Sequence, residues 1–300
     1  MNKFSVWISA MRLRTLPLSV SGIILASCLA QYKGVFNWSI CILAIITTLS
    51  FQILSNFAND YGDGVKGTDN AERIGPERAI QSGKITPKQL FNAIKINIVV
   101  ALLLAVALIY MAFGSQYILL SVLFLVLGVA SIIAAMKYTV GENAYGYRAM
   151  GDIFVFIFFG LISVLGCYAL FAKTLHFIAV LPAFVVGLLS TGVLNLNNMR
   201  DRIPDEKVNK ITLAVKLGAQ KAKLYHYTLI GMALGLALIF GIIYYKNPLN
   251  LIFLIAFIPI IKHVLTVVKN TEPAQLDPEL KKLALSTVLL AILMGVGQLF

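Results

Sequence analysis

Two short runs of this 300-residue chain concentrate side chains that could hold a metal ion. The first reads Ser55-Asn56-Phe57-Ala58-Asn59-Asp60-Tyr61-Gly62-Asp63. Continued as a helix, it sets Asn56, Asn59, Asp60 and Asp63 at i, i+3, i+4 and i+7, on one stripe. The second places Asn197, Asp201 and Asp205 four residues apart, with Pro204 able to kink or stop a helix before the last of them. Two carboxylate-rich helix ends facing one another repel unless a cation lies between them. Carboxylate and amide oxygens are hard ligands suited to Mg2+, which binds through a few carboxylates together with substrate phosphates. Read together, the runs predict a metal–phosphate site: Asp60, Asp63, Asp201 and Asp205 as its chemical core, and Asn56, Asn59 and Asn197 as further ligands. Either run alone reads equally well as helix capping and solvated loop acids.

Basic residues flank both runs. Arg12 and Arg14 precede the first apolar segment, Arg78 and Lys84 lie in the Gly67–Lys84 loop, and Lys137 and Arg148 follow the fourth segment. Guanidinium forks grip phosphate oxygens in pairs. Arg12, Arg78, Lys84 and Lys137 are the candidate phosphate contacts, and the Gly67–Lys84 loop a candidate cover over a polyanion.

The elements that must position these residues are membrane spans. The chain is 59% hydrophobic and 13% charged, against about 25% charged in a soluble domain, and its mean hydropathy is +0.86. Runs of roughly 20 apolar residues are predicted at 16–32, 38–57, 91–113, 117–136, 153–171, 175–196, 227–245, 249–268 and 283–300. The +12 net charge would point to nucleic acid in a soluble protein, but here it sorts by side. Of the 25 Lys and Arg residues, 22 fall in the N-terminus and in the loops after even-numbered spans, leaving Lys33, Lys173 and Lys246 opposite. That bias predicts a cytoplasmic N-terminus and an outer C-terminus. All 13 acids share the basic side, so the chemistry is expected at the cytoplasmic mouth, with no nucleic-acid partner. No cleavage site follows the first apolar run, which reads as a span. Cys28, Cys41 and Cys167 are dispersed, and His176, His226 and His263 read as scattered packing residues. The two Asn/Asp runs close even-numbered spans four apart, the spacing of a parallel pseudo-repeat (helices one to four and five to eight, plus a ninth) within one domain over 1–300.

With these motifs the chain resembles the UbiA superfamily of membrane prenyltransferases. Asn59-Asp60-Tyr61-Gly62-Asp63 matches its motif after the second helix, and Asp201-Arg202-Ile203-Pro204-Asp205 its motif after the sixth. Within the superfamily it is most similar to the 1,4-dihydroxy-2-naphthoate polyprenyltransferases of menaquinone biosynthesis. Asn59–Asp69, Gly75-Pro76-Glu77-Arg78-Ala79, and Asn197–Asp201 running to Thr212–Gly218 carry that likeness. Arg12-Leu13-Arg14-Thr15-Leu16-Pro17 has Leu13 where Pro is usual, and Thr139–Tyr147 lacks the Gly-Gly-x-Pro turn of the group.

The resemblance implies an all-α integral membrane bundle of about nine transmembrane helices, with cytoplasmic loops capping a central cavity in the cell membrane. It implies Mg2+-dependent transfer of a polyprenyl group from polyprenyl diphosphate to 1,4-dihydroxy-2-naphthoate, releasing CO2 and diphosphate and giving demethylmenaquinone. Tyr61, Tyr145 and Tyr147, beside the charged loops, are the candidate acceptor contacts. The same chemistry on 4-hydroxybenzoate is an alternative acceptor reading. Transport of an anionic metabolite is a reading of another class, but it calls for charge near mid-membrane, which the span centres lack.

Overall fold

The computed structural model describes residues 3–13, 15–69 and 77–300. Arg14, and residues 70–76 of the expected cover loop with Glu72 and Arg73, lie outside the described residues. A short helix, α1 (Lys3–Ala10), leads into α2 (Leu16–Tyr32), α3 (Trp38–Val65), α4 (Pro87–Phe113), α5 (Ile118–Lys137), α6 (Gly151–Ala172) and α7 (Phe177–Arg200). The short α8 (Arg202–Lys207) follows, then α9 (Leu213–Ile243), α10 (Pro248–Lys269) and α11 (Pro273–Gly297). Among the described residues eight helices are long and apolar enough to cross a membrane, and Leu16–Tyr32 is a shorter apolar ninth. The chain is a multi-pass all-helical membrane bundle.

Several helices outrun their apolar segments. The second segment, expected to end at 57, stays helical to Val65, the seventh begins at Leu213 rather than 227, and the ninth at Pro273 rather than 283. Apolar composition marks only what must meet lipid, whereas a helix stops where its end groups find partners. Thr86 and Gln89 form a capping box before α4, and the Thr212 hydroxyl accepts from the Val215 N–H before α9. These extensions carry the polar residues beyond the apolar part of the bundle.

Close approaches fix the helix ends that matter. A Cβ on Gly62 would lie 2.7 Å from the Thr139 carbonyl carbon, so only glycine lets α3 meet the segment after α5 so tightly. The Thr139 hydroxyl donates to the Ala58 carbonyl at 2.9 Å, locking the same contact. A parallel bridge between Arg148 and Ile211 ties the loop before α6 to the loop before α9.

His226 and His263 are not scattered. Their Nε2 atoms are 3.0 Å apart, and His263 Nδ1 lies 2.8 Å from Glu279 Oε2, a buried polar chain joining α9, α10 and α11 away from the central cavity. Residues 37 and 16 positions apart meet there, which no local spacing reveals.

Candidate active site

The α3 and α7 ends border one cavity of about 690 Å³. Asn56, Asn59 and Asp63 line it from α3; Asn197, Asp201 and Asp205 line it from α7 and α8. The helix breaks at Asp201, but the Asp201 N–H still donates to the Asn197 carbonyl and the Asp205 N–H to the Asp201 carbonyl, at 3.0 and 2.9 Å. The four-residue stripe therefore survives the break. From the polar mouth the cavity runs inward past Tyr138, Tyr145 and Phe154 to Phe158, Phe124, Ile162 and Leu170.

Each carboxylate is matched by a cation. Asp60, almost wholly buried, takes the Arg12 guanidinium at 2.5 Å and Arg78 at 3.7 Å, while its Oδ2 has no hydrogen-bond partner. Burial disfavours the Arg12 charge, but the attraction of Asp60 outweighs it and raises the Arg12 pKa. Arg12 itself sits at φ +52°, a left-handed turn that brings α1 back over α3. Asp63 accepts from the Tyr147 hydroxyl at 2.7 Å and from Lys210 at 3.3 Å, and Lys210 lies 3.7 Å from Asp205. Arg200 forks onto Asp201 at 2.8 and 2.6 Å and reaches Asp277 of α11 at 2.5 Å. Lys210 thus spans the two acidic runs, and Arg200 joins the second run to the last helix.

The remaining expected residues divide. Arg78 lines the cavity beside Arg12. Asn56 donates to the Met11 carbonyl at 2.9 Å and its oxygen accepts from Gln52 at 3.2 Å, so in this geometry its amide anchors the N-terminal segment. Tyr145 lines the cavity, its hydroxyl donating to the Ala134 carbonyl at 2.8 Å and its ring stacked on Phe154 at 3.9 Å. Tyr147 is placed by its bonds to Asp63 and Thr68. Tyr61 is not among the lining residues; it packs on Phe91 of α4, a ring separation of 5.2 Å, because it lies one position off the Asn59–Asp63 stripe. Lys84 and Lys137 do not line the cavity either.

Sequence spacing left Lys210, Arg200, Asp277 and Tyr138 unmarked. Lys210 was one of 22 basic residues on the same side, and nothing in the local order separates it from topology signals. Burial opposes its charge, yet Asp63 and Asp205 together raise its pKa, keeping it an ammonium. Burial pushes the Tyr138 phenol up to about 12, so it faces the cavity as a neutral hydroxyl.

The UbiA prenyltransferase family model matches residues 20–294. This chain belongs to the UbiA prenyltransferase family. It is 39% identical to a 1,4-dihydroxy-2-naphthoate octaprenyltransferase of Haemophilus influenzae, over 99% of this chain and 96% of that protein. It is also 39% identical to the Escherichia coli protein of that name, over the same shares. A Mycobacterium tuberculosis relative of that name is 34% identical over 78% of this chain and 77% of its own. This UbiA-family transferase shares its fold with a digeranylgeranylglyceryl phosphate synthase structure, TM-score 0.64 at 18% identity, over 99% of both chains. It also shares the fold of an Archaeoglobus fulgidus UbiA homolog bound to DMAPP and Mg2+, TM-score 0.58 at 14% identity, over 95% of this chain and 99% of that one.

The donor set suits Mg2+. Amide and carboxylate oxygens of Asn59, Asp63, Asn197, Asp201 and Asp205 line one mouth, whereas Asp60, expected at its core, is not among the lining residues, and its Oδ2 is buried without a hydrogen-bond partner. Among the described residues no three acids, histidines or cysteines converge on a point as they stand. Lys210 and Arg200 pair instead with the Asp205 and Asp201 carboxylates, at 3.7 and 2.6 Å.

Proposed function

We propose that this UbiA-family protein transfers a polyprenyl group from polyprenyl diphosphate to 1,4-dihydroxy-2-naphthoate. CO2 and diphosphate are lost and demethylmenaquinol, the reduced form of demethylmenaquinone, is formed. The observation that carries this reading is one cavity with two facing acidic runs at a polar mouth and an aromatic, apolar interior. The near full-length identity to octaprenyltransferases of that acceptor supports the choice of ring.

Asn59, Asp63, Asn197, Asp201 and Asp205 would hold Mg2+, which supplies Lewis-acid neutralisation of the departing diphosphate. Arg12 and Arg78 line the same mouth and offer guanidinium forks to the phosphate oxygens. Deeper in, the Tyr145, Phe154 and Phe158 rings keep water from the allylic carbon and present π faces to the positive charge that develops there. Tyr138, protonated at neutral pH, offers a hydroxyl to the acceptor ring. The rest of the apolar wall accommodates prenyl units, and the exposed apolar helix faces meet membrane lipid. The basic bias orients the mouth and N-terminus to the cytoplasm and the C-terminus outward across the cell membrane.

The test is purified protein in detergent with labelled polyprenyl diphosphate, carboxyl-labelled 1,4-dihydroxy-2-naphthoate, 4-hydroxybenzoate and graded Mg2+. The expected result is Mg2+-dependent prenylation of the naphthoate with release of labelled CO2. Asp60→Ala and Asp201→Ala are each expected to lower kcat/KM by roughly 10²-fold or more, the scale of removing one preorganised electrostatic group. Prenylation of 4-hydroxybenzoate in place of the naphthoate would overturn the acceptor, and absence of metal-dependent transfer to either would overturn the reading.

A further inference from the structure

Lys210 occupies an unusual position for a lysine. Its Nζ lies 3.3 Å from Asp63 Oδ2 and 3.7 Å from Asp205 Oδ1, between the two runs whose mutual repulsion calls for a cation. It comes from the loop after α8, held there by the Lys210 N–H to the Asp205 carbonyl at 2.9 Å and by the neighbouring Arg148–Ile211 bridge. Its side chain is only 16% exposed. Among the described residues the cavity is lined by five carboxylates and five Lys or Arg side chains, so the protein alone balances its charge at the mouth.

We propose that Lys210 is an internal stand-in for the metal, so that metal and diphosphate must load together. The inference rests on the prenyl-transfer reading and goes beyond it to the order of binding. A bare divalent ion entering between Asp63 and Asp205 must displace an ammonium already paired with both. The entering ion adds two positive charges to the mouth and leaves the displaced ammonium buried without a partner, which is strongly unfavourable. When a diphosphate arrives with the metal, its oxygens receive Nζ, and the added positive and negative charges offset each other. Lys210 then changes partners, from carboxylates to phosphate, without leaving the mouth. By linkage, diphosphate must tighten metal binding by the same factor as metal tightens diphosphate binding.

The test is equilibrium dialysis of labelled Mn2+ against the full-length protein in detergent, with and without inorganic diphosphate. For the native chain, diphosphate is expected to tighten Mn2+ binding about 10-fold or more, within the usual range of coupling between sites. In Lys210→Met, Mn2+ alone is expected to bind about 10-fold tighter than in the native chain, with the coupling reduced below about 3-fold. Lys210→Arg, which keeps the charge, should keep the coupling. Lys210→Gln replaces Lys210→Met if the latter loses cooperative thermal unfolding. Mn2+ binding to the neutral variant no tighter than to the native chain would overturn the stand-in, as would tight Mn2+ binding to the native chain without diphosphate. Failure of the native chain to retain Mn2+ even with diphosphate would instead remove the prenyl-transfer reading on which the stand-in depends.

Discussion

Asp63 is held from two loops at once: the Tyr147 hydroxyl donates to Oδ1 at 2.7 Å and Lys210 to Oδ2 at 3.3 Å. The tyrosine fixes the rotamer and leaves the second oxygen for a cation. A hydrogen bond to a charged group contributes about 1.5–3 kcal/mol, and each 1.4 kcal/mol is about tenfold in affinity. Tyr147→Phe should therefore weaken Mn2+–diphosphate binding by about 10-fold in the dialysis experiment; an unchanged affinity would remove Tyr147 from the positioning of Asp63. The phenols also set a pH window. Burial raises Tyr138 to about 12, and burial with the Asp63 charge raises Tyr147 as well. A folded pKa above the unfolded one means that the folded protein keeps its proton longer. The associated stability is complete below about pH 10, the ordinary phenol value, and is lost as pH rises through the folded value. Thermal unfolding should thus show no pH-dependent change from Tyr138 between pH 7 and 9 and a falling contribution above 10; a loss between pH 7 and 9 that Tyr138→Phe abolishes would contradict this. At this scale the sequence was partly legible. The Asn59–Asp63 and Asn197–Asp205 stripes are helical periodicities, read from i+4 spacing alone. Lys210 meets Asp63 across 147 residues and Arg200 meets Asp277 across 77, and only the packed bundle creates those pairs.

The helix α3 delivers its acids correctly only because Gly62 lies flush against Thr139. A Cβ at Gly62 would sit 2.5 Å from the Thr139 hydroxyl oxygen and 2.7 Å from its backbone carbonyl carbon, and the backbone cannot swing aside as a long side chain would. Overpacking of this kind destabilises by about 1–3 kcal/mol. Gly62→Ala should lower the thermal midpoint and, by shifting Asp60 and Asp63 against the opposite run, reduce kcat/KM. Gly231 of α9 is the control, since a Cβ added there would meet nothing within 4 Å. There, Gly231→Ala should be neutral or stabilise by up to about 1 kcal/mol through helix propensity. Equal effects of the two substitutions would show that the α3–Thr139 approach is not what positions the acids. The spans were legible because lipid demands about 20 apolar residues in a row. The polar extensions were not, since Asn59–Val65 and Leu213–His226 carry mixed polarity, and their helicity comes from caps and neighbours. The His226–His263–Glu279 chain was hidden for a related reason: its members sit on three helices whose contact is set by bundle order.

Across the whole molecule, the three isolated lysines gather at the end of the bundle remote from the acidic mouth. Lys33 and Lys246 both lie over the Tyr32 ring, at 5.4 and 4.6 Å, and Lys173 lies over Phe113 at 5.3 Å. Phe36 stacks on Phe171 at 5.6 Å, drawing the α2–α3 and α6–α7 connections into the same layer. The bundle therefore has one end with short turns and only three lysines, and one end bearing almost all of its charged residues. Moving that charged end through a bilayer would require desolvating many Lys and Arg residues, at about 2.5–3.5 kcal/mol each at mid-membrane, whereas the three-lysine end is far easier to translocate. The orientation can be read with single cysteines introduced into a chain whose Cys28, Cys41 and Cys167, all free thiols, have been replaced by Ala. Lys246→Cys should react with a membrane-impermeant maleimide in intact cells, and Lys221→Cys only in inverted vesicles. The opposite pattern would place the acidic mouth outside the cell and overturn the proposed orientation. Labelling of both positions from one side would remove the crossing between them, and with it the odd number of crossings that separates the N-terminus from the C-terminus.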